Sequence, residues 1–491
     1  MAVSGHPERI ALVDGDSRLT IAELNDLANG GAGVIVASGA EHVVYVGSGG
    51  VMQPLLIFAS ARASRTYTPI NYRLSAEGVQ ELIGRLPDPL VVVDDRYRDM
   101  IGDAAERVLS SEEFLAAART AEPAAEFADP DSVAIVLFTS GTTSKPKAVE
   151  LSHANLTSYI TGTVEFDSAD DTDAALICVP PYHIAGVNAA MSNLYAGRKM
   201  VYLANFDAHD WVRLVADEKV TTATVVPTML DRIVTTLEQE LVELPTLRIL
   251  AYGGSKVALP LVRKALELLP HVGFVNAYGL TETSSTIAVL TPDDHRDAYG
   301  NPDEVAARRL GSVGQPVPGI EVQIRADDGE VLGPGESGEL FVRGEQVSGK
   351  YTGIGSVLDD EGWFPTKDIA MLDDAGYLFI GGRSDDTIIR GGENIAPAEL
   401  EDVLVEHPHV HEVAVVGVED SQWGQAIVAV VVPAAGVDPD ADELREYVRK
   451  FLRGSRTPDR VVFRDELPTN ATGKLLRREI VESLRVSNID K

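Results

Sequence analysis

The chain has 491 residues, 45% hydrophobic and 24% charged, ordinary proportions for a globular protein and enough length for two or more domains. Its 75 acidic residues against 42 basic ones give a net charge of −33, which repels nucleic acid and anionic membranes and removes both from the expected partners. No apolar run approaches a membrane span, and the opening MAVSGHPERIALVDGD lacks a basic-then-apolar leader, so a cytoplasmic location is expected.

Residues 1–130 alternate short apolar runs, such as 42-HVVYV-46, with helical patterns, such as 75-SAEGVQELIGRL-86. That alternation predicts parallel sheet layered with helices. The glycines at 47-GSGG-50 are not G-x-G-x-x-G, which counts against a dinucleotide oxidoreductase. A short buried strand is predicted at 133-VAIVLF-138. It runs straight into 139-TSGTTSKPK-147, where hydroxyls, free backbone N–H groups, Lys145 and Lys147 offer a polyanionic phosphate chain its contacts. The loop is not a Walker A motif, because G-x-x-x-x-G-K-[ST] is absent. The chain holds only eleven lysines, so Lys145, Lys147 and Lys474 each stand out in their loops.

Further strands are predicted at 175-ALICVP-180, 222-TATVVP-227, 248-RILAYGG-254 and 272-VGFVNAYG-279. The single cysteine, Cys178, forms no internal disulfide, and its apolar setting marks a core residue. From Gly311 the chain turns rich in Gly, Pro and alternating β-formers, the pattern of a small antiparallel unit. After the glycines and charges of 382–392, helices are predicted at 398–410 and 441–453 and strands at 413–418 and 426–433, a compact α+β module. The predicted fold class is therefore α/β. Residues 1–384 form a large domain of stacked parallel and mixed sheets with helices and a small β unit. Residues 385–491 form a small mobile α+β domain.

Six motifs in a fixed order resemble the adenylate-forming superfamily, which includes acyl-CoA synthetases, aryl-CoA ligases, luciferases and the adenylation domains of peptide synthetases. The resemblance covers essentially the whole chain. It implies that Thr139, Ser140, Gly141, Thr142, Thr143 and Lys147 close over the β- and γ-phosphates of ATP. In 276-NAYGLTETSS-285 it implies that Tyr278 packs on the adenine, with Asn276 near the exocyclic amine and Gly279 beside it. Thr281 would face the α-phosphate, and Glu282 would hold Mg²⁺. In 362-GWFPTKDIA-370, Asp368 would accept from both ribose hydroxyls, and Arg383 would lie near the ribose or phosphate.

The stretches 251-AYGGSK-256 and 180-PPYHIAG-186 resemble the walls of the acyl pocket. Gly253 and Gly254 let the backbone approach a flat ligand and count with the ATP site, and His183 would lie near the substrate carboxylate. The absence of an acid from 180–186 favours a plain carboxylic acid, expected to be a fatty acid, over an amino acid. Asp385 matches the hinge of the C-terminal domain, Gly391 and Gly392 match the pantetheine loop, and Lys474 matches the adenylation lysine. Three positions depart from the family's usual glycine: Ser144, Ala148 and Lys367.

The activity implied is ATP-dependent formation of an acyl-AMP and transfer of the acyl group to the thiol of coenzyme A, with Mg²⁺ as the metal. Transfer to the phosphopantetheine of an acyl carrier protein, a stand-alone acyl-AMP ligase, and a nucleotide-binding subunit without turnover are the alternatives. The third rests on the three departures and is opposed by the retained Lys474, Glu282 and Asp368.

Overall fold

The computed structural model describes residues 5–139, 146–240, 242–420, 422–452, 454–470 and 473–486. Two large sheets dominate it. The first has eight strands and is parallel through Thr66–Pro69, His42–Val46, Pro89–Val93 and Arg107–Ser110. Val133–Thr139 joins it in parallel on one side and pairs antiparallel with Lys147–Ser152 on the other. The second sheet has nine strands, with Ala174–Ile177, Thr222–Val225, Ile249–Gly253 and Gly273–Leu280 adjacent and parallel in that order.

These strands are apolar on both faces because helices cover them. The 18-residue helix Ile21–Ser38, capped by Thr20 and ended by Gly39 in the left-handed region, packs with Met52–Arg62 and Ile184–Ala196 into one core. On the second sheet, Trp211, Leu230, Ile233 and Phe274 lie in another core and are almost wholly buried. Cys178 belongs to that core, and burial pushes its thiol up to about 12, well away from nucleophilic use.

A four-stranded antiparallel sheet follows, built from Glu321–Arg325, Gly338–Arg343, Phe364–Leu372 and Leu378–Arg383. From residue 388 onward the chain builds two cores of its own, around the long pair Val410–Asp420 and Gly424–Pro433. The helix expected over 398–410 is shorter, Pro397–Leu404, and Val410 already begins a strand. Pro408 explains the shortening, since the residue before a proline is pushed from helical to extended backbone. Among the described residues, no helix is long and apolar enough to cross a membrane.

Candidate active site

Parallel strands place their C-terminal ends on one edge, and ligands gather there. The loops after Ala174–Ile177, Thr222–Val225, Ile249–Gly253 and Gly273–Leu280 all line one continuous cleft of about 2600 Å³. It gathers Thr139, Lys147, His183, Gly253, Gly254, Asn276, Tyr278, Gly279, Thr281, Glu282, Asp368, Arg383, Asp385 and Lys474. Ser140, Gly141, Thr142, Thr143 and Ser144 lie outside the described residues. Gly391 and Gly392 are not at this cleft. They form the exposed turn between Ile388–Arg390 and Glu393–Ile395, both in the left-handed region.

Close backbone approach is required at two of these positions. A Cβ on Gly253 would stand 2.2 Å from the Ala277 carbonyl oxygen, and one on Gly279 would stand 1.8 Å from that of Ser285. Neither carbonyl can swing away without breaking the sheet.

Asp368 is 6% exposed and sits at the centre of a polar cluster. The Tyr278 hydroxyl donates to its Oδ2, the Arg383 guanidinium lies 3.4 Å from its Oδ1, and its backbone N–H donates to Thr366 Oγ1 at 3.1 Å. Burial raises the proton affinity of this carboxyl, opposed by Arg383, Tyr278 and Lys474. Glu282 accepts from the Tyr351 hydroxyl at 2.8 Å, and the ammonium of Lys147 lies 5.4 Å from the centre of the Tyr351 ring. Nothing in 349-GKYTG-353 marks Tyr351 as part of the site. Its place follows from the pairing of Tyr351 with Val149, which only the folded sheet reveals.

His183 precedes the helix Ile184–Ala196, lies with its ring centre 4.9 Å from that of Tyr182 and tilted 48° to it, and is half-buried. Burial first, and the charge of Lys474 second, push its imidazole down to about 4, so it is neutral at pH 7. Lys474 comes from the C-terminal module. Its side chain is exposed to the water of the cleft, yet protein encloses it closely enough to lower its proton affinity. Arg383 lowers that affinity further, whereas Asp368, Asp386 and Glu282 raise it. The module is held in this orientation by Lys256–Asp402 at 2.6 Å and Arg263–Glu406 at 3.0 Å.

The departures from glycine resolve differently. Ala148 lies in regular strand, paired with Phe138, and needs no glycine. Lys367 has φ of 66°, the left-handed region, with its ammonium 3.4 Å from Glu339.

The family model for the AMP-binding enzyme matches residues 1–352, and that for the AMP-binding enzyme C-terminal domain matches residues 399–474. The chain is 32% identical to an indoleacetate–CoA ligase of Aromatoleum aromaticum, covering 96% of this chain and 95% of that one. It is 34% identical to a feruloyl-CoA synthase of an Amycolatopsis species, covering 96% of each. Among solved structures it superposes on the o-succinylbenzoate CoA synthetase of Bacillus subtilis bound to its acyl-adenylate, with a TM-score of 0.85, 28% identity, and coverage of 98% and 96%. The same enzyme with ATP and magnesium gives 0.84 at 27% identity, with 98% of each chain covered. The chain therefore belongs to the AMP-binding, adenylate-forming enzymes. It is an AMP-forming acid–CoA ligase that uses ATP, Mg²⁺ and coenzyme A.

Proposed function

We propose that the cleft joins a non-amino carboxylic acid to ATP while the C-terminal unit has its present orientation, and that the acyl group passes to the thiol of coenzyme A after this unit turns. The observation that carries the reading is the entry of Lys474, from the C-terminal module, into the cleft that holds His183, Glu282 and Asp368. In the first step a carboxylate oxygen attacks the α-phosphorus and pyrophosphate leaves. The nucleophile is already ionised at neutral pH, so no general base is required. Lys474 neutralises charge gathering between the carboxylate and the α-phosphate, Thr281 donates to the α-phosphate, and Lys147 holds the departing phosphates. Asp368, with Arg383 beside it, accepts from the ribose hydroxyls in place of Tyr278. Tyr278 and Asn276 bound the adenine.

Glu282 fits magnesium, because it lines the cleft with a carboxylate that the Tyr351 hydroxyl holds in place through Oε1. The metal supplies charge neutralisation at the phosphates. Neutral His183 shapes the carboxylate end of the pocket and adds no repelling or competing charge. In the second step the sulfur attacks the acyl carbonyl, AMP leaves and the thiol proton goes to solvent. The unit from 385 to 491 turns about Asp385 for that step, bringing the Gly391–Gly392 turn towards the cleft.

The named relatives act on aromatic acids, so a fatty acid is one arm of the test and an arylalkanoic acid another. Pyrophosphate release, screened over carboxylic acids with coenzyme A and carrier protein supplied separately, should respond to non-amino acids and to coenzyme A. Exchange driven by amino acids alone would sink the substrate reading, and a response to carrier protein alone would move the acceptor.

A further inference from the structure

The helix Ile184–Ala196 leads away from His183 and ends at Gly197, whose φ is 76°. The next residue, Arg198, turns back along the helix, its guanidinium donating to Asn193 Oδ1 at 2.8 Å. Asn193 and Arg198 line the same cleft as His183. Arg198 is half-buried, its Nε is enclosed without a hydrogen-bond partner, and no carboxylate reaches it within 4.0 Å among the described residues. Burial lowers its proton affinity, with no acid nearby to restore it.

Acids outnumber bases in this chain by 75 to 42, and the inward arginines Arg309, Arg325, Arg390, Arg456 and Arg477 each meet a carboxylate. Arg62 is likewise half-buried without one, but it commits both terminal nitrogens to Asn25, whereas Arg198 commits only Nη1. A cation at a helix C-terminus is favourable in itself. That account places donors on the last helical carbonyls, whereas Arg198 reaches a side-chain amide and leaves Nε turned inward. With Nη1 engaged by Asn193 and Nε enclosed by protein, Nη2 is the nitrogen left for a charge-assisted hydrogen bond to a ligand carboxylate.

Asn193 is ten residues from His183, which places the guanidinium about 15 Å along the helix axis from the carboxylate end. Between them lie Ser192 and Asn188, the latter with a buried Oδ1 that lacks a hydrogen-bond partner. We propose that Arg198 is the far anchor of the acyl pocket, and that the acid this ligase activates is a long dicarboxylic acid whose second carboxylate pairs with Arg198. The proposal rests on the reading that activation takes place at the His183–Thr281 end. The ligand carboxylate supplies the charge that the protein leaves out.

The test measures pyrophosphate release with α,ω-dicarboxylic acids of graded length, each beside its monomethyl ester. At the matching length the diacid should exceed its half-ester by about a hundredfold in kcat/KM, carried by KM. In Arg198→Met that ratio should collapse towards one, while Arg198→Lys, which keeps the charge on a shorter side chain, should retain part of it. Two outcomes overturn the inference: no length at which the unaltered enzyme prefers the diacid, or a ratio unchanged in Arg198→Met because both substrates fall in proportion. The unaltered enzyme's preference decides the matter alone if the variant does not fold. Half-esters turned over without preference for the diacid would refute this inference only, whereas no pyrophosphate release with any carboxylic acid would refute the reading beneath it.

Discussion

Lys367 stands next to Asp368, the proposed ribose acceptor, with a backbone angle that glycine adopts freely and lysine does not. The left-handed region costs an L-residue about 1 kcal/mol, part of which a glycine returns as extra unfolded-chain entropy. Lys367→Gly should therefore be neutral or slightly stabilising, by up to about 1 kcal/mol. Lys367→Ala keeps the strain and loses the contact with Glu339, so it should be the less stable of the two. Urea midpoints compare them, and an alanine variant more stable than the glycine one would remove strain as the explanation. A second residue links burial to pH. His42 is 4% exposed, contacts Thr68 Oγ1 at 2.6 Å, and is pushed by burial from 6.5 to about 4. Between those values the unfolded chain binds a proton that the folded one refuses, so stability rises with pH. The contribution is full above pH 6.5 and lost as the pH falls to about 4, up to about 3 kcal/mol. His42→Gln should lose less of its urea midpoint than the unaltered protein between about pH 7 and pH 4.5. Equal losses would place the acid sensitivity elsewhere.

At the scale of elements, the strands that carry the site were legible to within a few residues. The run 133–138 is the strand Val133–Thr139, and 272–279 is Gly273–Leu280. Both are apolar runs bounded by turn-forming residues, and that signal is local. The antiparallel pairing of Gly273–Leu280 with Ser285–Leu290 was not legible, because it depends on a register shift at Tyr278 and Gly279 that sequence spacing does not encode. Gly279 allows that close pairing. Gly279→Ala places a methyl 1.8 Å from the Ser285 carbonyl and must displace the segment that carries Thr281 and Glu282. A shift near 1 Å at reacting groups costs about 10²-fold in rate. Pyrophosphate release should fall by that order while circular dichroism stays unchanged. Full activity would mean that the two strands can part without moving the site.

At the scale of the whole molecule, the C-terminal module touches the large domain through exposed ion pairs at Asp402 and Glu406. Exposed pairs contribute little, commonly below about 1 kcal/mol, which suits the proposed turn of the module away from this orientation. On the proposed mechanism, Lys474 acts only while the module is docked as it is here. Lys474→Ala should therefore slow formation of acyl-AMP by roughly 10²–10³-fold while largely sparing conversion of supplied acyl-AMP and thiol to thioester. Asp385→Pro should show the opposite bias, since it restricts the backbone at the proposed turning point. Equal losses in both half-reactions for both variants would rule out a turning module.

The sequence by itself determined the family, the alternation of strand and helix, and the residue types at the nucleotide end. Those signals are written locally, as periodicity, glycine placement and short motifs. Only the tertiary structure decided that Tyr351 reaches Glu282, that Lys367 carries a left-handed backbone whereas Ala148 does not, and that Gly391 and Gly392 do not line the cleft in this orientation. Arg198 belongs with these. In 195-YAGRKMV-201 it reads as a surface base after a helix-ending glycine, and nothing nearby in sequence separates it from one. Its isolation from every described carboxylate depends on which elements fold around it, and burial is a property of the packed chain.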